Sequence, residues 1–253
     1  MRRAEFAGSP TGGGGAGRMT GWWLWLYVTA MAAGVLFLVR WAADPRGVPR
    51  VEYAVAIAIP LWSGLWYTFT ALGGGRTDGG GHPTYWTRYA DWVVSASLLL
   101  VALALTATHA LPRRHPPLVV ALVGTNVVMI LSGLVADLAD DDVTRWLCYT
   151  LGTVALLVIY ALVWGPLHAV ARRQPAGLHH AYREAALLLS VLWIGYPVIW
   201  FVSPTGIGLL GAPTDTALFV LLSIASKVGW GILDLGRLRQ LSARGELPIA
   251  ASR

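Results

Sequence analysis

The sequence predicts an all-α fold, a single seven-transmembrane-helix bundle, and three observations lead to it. Of its 253 residues 56% are hydrophobic and only 13% charged, with a mean hydropathy of +0.58, a composition outside what soluble domains of this length show. Seven stretches of about 20 residues are almost free of charge, each long enough at about 1.5 Å per residue to cross a hydrocarbon core of about 30 Å. The connections between them are mostly short and carry Gly, Pro and Asp, so consecutive spans are expected to pack as antiparallel neighbours in one domain.

The first span, 21–39, follows a Gly-rich stretch with Arg2, Arg3 and Arg18, read as a disordered, functionally silent tail over 1–19; a cleaved signal peptide would need its apolar region sooner. The second, 53–72, is preceded by Glu52, which reads as a loop acid. The third, 90–110, has Arg88, Asp91 and Ser95 at helical spacing around its start. His109, near its other end, reads as a packed or snorkelling histidine, with a part in proton release as the alternative. The fourth covers 117–136, and the fifth, 146–165, contains the single cysteine, Cys148, so no intrachain disulfide can form. A loop with adjacent His179 and His180, expected to be solvated rather than metal-binding, leads to the sixth span, 185–202. The seventh is 216–233, the whole bundle being expected over 20–240 with a cytoplasmic tail over 241–253.

Twelve of the eighteen arginines fall on one side if the amino terminus lies outside, which predicts an outer N-terminus and a cytoplasmic C-terminus by the positive-inside rule. The net charge of +6 is then a topology signal, and no nucleic-acid partner is implied. The expected location is the cell membrane, crossed several times, with the lipid bilayer as the main partner.

Of nineteen basic residues, only Lys227 is a lysine, and it lies inside the last span. A buried ammonium is costly, so it needs a charge partner, a shifted pKa or a covalent modification. At about 100° per residue Ser223, Lys227 and Asp234 share one helix face, and Arg88, Asp91 and Ser95 offer a facing set. Two readings stand: a structural ion pair between helices, or a vertical file of proton-exchanging groups that uses Asp234 as well. Asp234 itself is either part of that file or an interfacial carboxylate paired with Arg237 or Arg239. Of thirteen tryptophans, Trp22, Trp23, Trp25 and Trp41 read as interfacial anchors. Trp92, Trp193, Tyr196 and Trp200 lie at the depth of the charged file, where flat rings either pack the core or sandwich a long conjugated ligand.

At these residues the chain resembles the microbial rhodopsins over about 20–240. Arg88-Tyr89-Ala90-Asp91-Trp92 is similar to the third-helix counterion motif, Ser226-Lys227-Val228-Gly229 to the retinal attachment site, and Trp193-Ile194-Gly195-Tyr196-Pro197 to the sixth-helix retinal wall. Within the family the nearest resemblance is to the xenorhodopsin and cyanobacterial sensory rhodopsin group, because Asp234-Leu235 stands seven residues after the lysine. The resemblance implies retinal on Lys227 as a protonated Schiff base, Asp91 as counterion helped by Arg88, and Ser95 and Ser223 nearby. It implies a pocket of Tyr67, Trp92, Asn126, Met129, Ser132, Gly133, Tyr149, Gly152, Trp193, Tyr196, Pro197 and Trp200, with no metal.

Three departures bear on activity. Ser223 stands where outward proton pumps of the family carry a second counterion acid and xenorhodopsins a Pro; Ala102 replaces the cytoplasmic proton donor; Ser95-Ala96-Ser97 replaces Thr-Thr-Pro, removing a helix-bending Pro. The expected function is a light-driven inward proton transporter, not an enzyme, with Asp234 as the cytoplasmic proton acceptor. The alternatives are a photosensor signalling to a cytoplasmic transducer, and a seven-helix protein without a chromophore. A homo-oligomer is a family expectation.

Overall fold

The computed structural model describes residues 13–79, 82–112 and 115–247. Seven long helices follow in order: α1 Gly13–Ala42, α2 Arg50–Ala71, α3 Trp86–Ala107, α4 Pro116–Leu138, α5 Asp142–Ala171, α6 Ala176–Val202 and α7 Ala212–Ala243. Helix α1 begins inside the stretch read as a tail; residues 1–12 and 248–253 lie outside the described residues. A two-stranded antiparallel hairpin, β1 Arg76–Gly79 and β2 His82–Tyr85, joins α2 to α3 and was not expected from hydropathy.

Local sequence sets the helix ends. Pro sits in the first turn of α4 and α7, where its missing N–H costs nothing. Asp141 caps α5, its Oδ1 accepting the Thr144 N–H at 2.7 Å. Arg46 (φ 48°) and Gly47 (φ 79°) turn the chain tightly between α1 and α2.

Two helices contain a π turn. In α5 it spans Val163–Leu167 around Pro166, whose ring and missing N–H break the regular ladder. In α7 it spans Ala225–Gly229 with Lys227 at its centre, so the register after the lysine slips relative to a regular helix.

Consecutive helices pack side by side, α7 returns against α1 to close the ring, and α3 also touches α6 across the interior. Helix α3 is the axis of the bundle: 61% of its apolar window is buried, against 22–44% for the other six. Leu36, Leu65, Val120, Leu147, Leu157, Leu187 and Val191 point outward and are exposed. A belt of this kind belongs against lipid, where helices satisfy their own backbone.

Candidate functional site: a buried lysine–aspartate pair on an aromatic cavity

Lys227 and Asp91 meet at the centre of the bundle, with side chains 2% and 0% exposed. Nζ of Lys227 donates to Asp91 Oδ2 at 2.5 Å, to Ser63 Oγ at 2.8 Å and to the Tyr27 hydroxyl at 3.1 Å. Ser63 also donates to Asp91 Oδ2 at 2.8 Å and lies 2.5 Å from the Tyr27 oxygen. Four helices, α1, α2, α3 and α7, therefore each contribute one group to a single charged knot. A pair this deep persists only when its remaining donors are satisfied, as the three Nζ contacts satisfy them here. Ser63 falls within the second apolar span and Tyr27 within the first, and neither was singled out in the sequence.

Nζ opens on a cavity with about 110 Å³ available to the centres of water-sized molecules, many times the roughly 10–15 Å³ that one water requires. Of the expected residues, Trp92, Met129, Gly133, Tyr149, Gly152, Trp193, Tyr196, Pro197 and Trp200 line it, as does Ser95. The rings are locked against one another, Trp92 edge-on to Tyr196 at 5.1 Å and Tyr149 stacked on Trp200 at 4.8 Å. Tyr89, Leu99, Ile130, Leu156, Phe219 and Ser226 also line the cavity; only Tyr89 and Ser226 lay in a motif that could have flagged them.

Three expected pocket residues lie elsewhere. Tyr67 stacks on Tyr27 at 3.9 Å and lines a separate, smaller cavity with Arg88, Thr70, Thr87 and Thr216. Asn126 is turned onto Ser97, donating to its hydroxyl at 3.0 Å. Ser132 bonds back to the Val128 carbonyl of its own helix at 2.7 Å. Motif matching could not see these because helix rotation decides which face meets the cavity.

Arg88, expected to help keep Asp91 charged, has its ion-pair partner elsewhere. It does not contact Asp91: its guanidinium lies 3.8 Å from Asp215 Oδ2 and 4.4 Å from the Phe219 ring centroid. Helical side chains lean toward the N-terminus of their helix, which directs Arg88 to the hairpin end and away from Asp91, one turn further on. Ser223 is buried and 3.1 Å from the Tyr196 hydroxyl, which is also 2.8 Å from Ser226 Oγ.

Toward the opposite end, Asp234 is buried and accepts from the Thr106 hydroxyl, at 2.9 Å to Oδ1 and 3.1 Å to Oδ2. Neither arginine weighed as its partner reaches it. Arg237 pairs with Glu184 at 2.7 Å, and Arg239 bonds the Tyr53 hydroxyl at 2.7 Å and lies 3.5 Å from Asp44. Asp44, outside the membrane, is held below the usual carboxylate range by its bond to Arg46.

Glu52 is not a loop acid. It lies in the first turn of α2, buried, with Oε1 2.6 Å from Nδ1 of His109. His179 is not simply solvated, since its Nε2 lies 2.9 Å from Nε2 of His168. Among the described residues no cluster of three or more metal-ligating side chains is present.

A seven-helix membrane bundle whose one buried lysine is paired to an aspartate and opens on an aromatic cavity is the architecture of a protein that carries a flat, conjugated group on an amine. The chain belongs to the bacteriorhodopsin-like protein family, whose model matches residues 18–241. Bacteriorhodopsin-I of Haloarcula marismortui is 32% identical over 85% of this chain and 88% of its own, and bacteriorhodopsin of Halobacterium salinarum 32% identical over 89% and 87%. Among solved structures, thermophilic rhodopsin from Rubrobacter xylanophilus superposes with a TM-score of 0.83 at 32% identity, covering 88% of this chain and 97% of that one. A cyanorhodopsin from Calothrix sp. NIES-2098 gives 0.82 at 26% identity, covering 90% and 98%. This is a multi-pass membrane protein of a family that binds retinal through a lysine Schiff base and whose members are light-driven pumps or sensors, not enzymes.

Proposed function

We propose that the chain is a light-driven inward proton transporter of the xenorhodopsin kind, with retinal carried on Lys227 and the amino terminus outside. The observation that carries this reading is Asp234: a buried carboxylate held by Thr106 on the arginine-rich side of Lys227, with no arginine paired to it among the described residues.

The cavity residues fit the group. Nζ of Lys227 borders the ring-walled space, Ser95 Oγ and Trp92 Nε1 belong to residues that line it, and these two atoms and Asp91 Oδ1 beside the lysine are buried without hydrogen-bond partners among the described residues. When bound, retinal supplies light absorption and a light-driven change of shape that re-aims the N–H of Nζ. In the dark Asp91 Oδ2, with Ser63 and Tyr27 around it, holds the proton on Nζ. Trp92, Trp193 and Tyr196 wall that side of the space with rings, which favours transfer of the proton to a group placed for it.

Toward the arginine-rich face Ala102 offers no donor, whereas Asp234 offers an acceptor whose orientation Thr106 fixes. Toward the hairpin end Arg88 and Asp215 supply a polar approach to Asp91 from which Nζ is reprotonated. Ser223, neutral where outward pumps carry an acid, leaves Asp91 as sole counterion and removes one acceptor on the outer side.

In an unbuffered suspension of retinal-supplemented cells, light is expected to alkalinise the medium, a protonophore to abolish the change, and Asp234→Asn to reduce it about tenfold. Acidification would establish outward transport instead. No pH change from a coloured, photocycling protein would replace the proposal with a sensor that acts through a cytoplasmic partner.

A further inference from the structure

The mechanism so far leaves two buried titratable groups unused. Glu52 and His109 come from different helices, α2 and the segment just past the C-terminus of α3, and their side chains are 7% and 3% exposed. They lie 2.6 Å apart, and Oε2 of Glu52 is buried with no hydrogen-bond partner among the described residues. A carboxylate and an imidazole withdrawn from water at this separation share one hydrogen-bonded proton, and the imidazole has a second nitrogen at which another can be exchanged. A packed histidine would not require a buried acid as its partner.

The pair is built onto the Asp234 site. Thr106, which holds Asp234, stands in the last turn of α3, and the His109 N–H folds back onto its carbonyl at 3.5 Å. Gln174, buried in the α5–α6 connection, staples this end of α3 on both sides of His109: its Nε2 donates to the Thr106 carbonyl and its Oε1 accepts the Ala110 N–H, each at 2.9 Å.

We propose that the His109–Glu52 pair is the station that takes the proton from Asp234 and passes it to the arginine-rich face, with His109 as the transfer group and Glu52 as its positioning partner. This rests on the inward reading above. With Nδ1–H donating to the Glu52 carboxylate, Nε2 of His109 is the nitrogen at which a proton comes and goes. The O–H bond on Asp234 breaks and an N–H bond forms at Nε2; no electrons are exchanged. The resulting imidazolium is held beside Glu52 until Nε2 releases its proton to solvent. Gln174 keeps the donor and acceptor elements in register.

The test uses retinal-loaded, full-length protein in detergent with a soluble pH dye, and time-resolved infrared spectroscopy of the Asp234 carboxyl band. His109→Gln and Glu52→Gln are both expected to keep the wild-type colour and the wild-type rate at which Asp234 becomes protonated. Each should slow the decay of protonated Asp234, and release to the dye, about tenfold or more. A side chain with only a structural role would move the colour or both rates together. Unchanged decay in both variants overturns the station while leaving inward transport standing. If Asp234 never becomes protonated in the wild type, the station and the inward reading both fall. If Asp234 protonates but the dye reports release before it decays, the station alone is overturned.

Discussion

At the scale of single residues, the chain places one positive and one negative charge where neither survives alone. Removing Lys227 leaves Asp91 uncompensated in the core. In the retinal-free protein Lys227→Met is therefore expected to lower unfolding stability by about 3–5 kcal/mol, whereas Lys227→Met with Asp91→Asn should restore most of it. Denaturant unfolding in detergent checks both; a double variant no better than the single one would show that the pair is not what holds this layer. Lys227→Ala should also give no visible absorption after retinal addition, and retained colour would remove Lys227 as the attachment point. The members of this pair were legible because a lone intramembrane lysine and a helical acid are rare. Tyr27 was not, since it comes from 200 residues away and an apolar span with one tyrosine has no distinguishing pattern. That Arg88 pairs with Asp215 was not legible either, because the direction of a helical side chain is invisible in residue spacing.

At the scale of elements, the spans were legible and their ends were not. Helix α6 starts at Ala176, nine residues before its apolar window, because His180, Arg183 and Glu184 end the window without ending the hydrogen-bond ladder. The π turns have no hydropathy signature, yet one of them sets the direction of Lys227. Asp141, at the membrane edge, is held below its ordinary pKa of 3.8 by the Thr144 N–H. A depressed carboxyl pKa stabilises the fold above the unfolded value and loses that contribution as pH falls through the folded one. Asp141→Ala is thus expected to lower Tm at pH 7 by about a few degrees, with the difference shrinking as pH falls below 3.8 and gone once it passes the lower folded-state value; an undiminished deficit in strong acid would argue against the cap. Gly75 adopts φ +70°, and a Cβ there would lie 1.8 Å from Thr87 Cγ2. Left-handed strain alone makes Gly75→Ala cost about 1–2 kcal/mol, loosening the hairpin from α3, which thermal unfolding measures.

At the scale of the whole molecule, the closed ring of helices is both membrane domain and binding chamber. A group bound only by the folded chain stabilises it, so retinal-loaded protein is expected to melt several degrees above protein prepared without retinal. Equal melting temperatures would mean that the cavity does not hold the group. Along the ring the buried charges are spaced out, with Arg88 and Asp215 forming one network near the hairpin, Asp234 on Thr106 and Glu52 on His109 standing at the other end, and the lysine pair between. A path of this form has a direction only if each network exchanges its proton with one side of the membrane.

The solvent of this protein, the number of its spans and the two charges at its centre follow from the sequence alone, because transfer into lipid and the cost of burying an ion are properties of residues one at a time. Which side chains share a hydrogen bond is decided by the rotation and depth of seven helices packed together. That is why Asp234 meets Thr106 rather than arginine, Glu52 meets His109, and Asn126 turns away from the cavity: each is a contact between residues 29 to 128 positions apart, which no local pattern encodes.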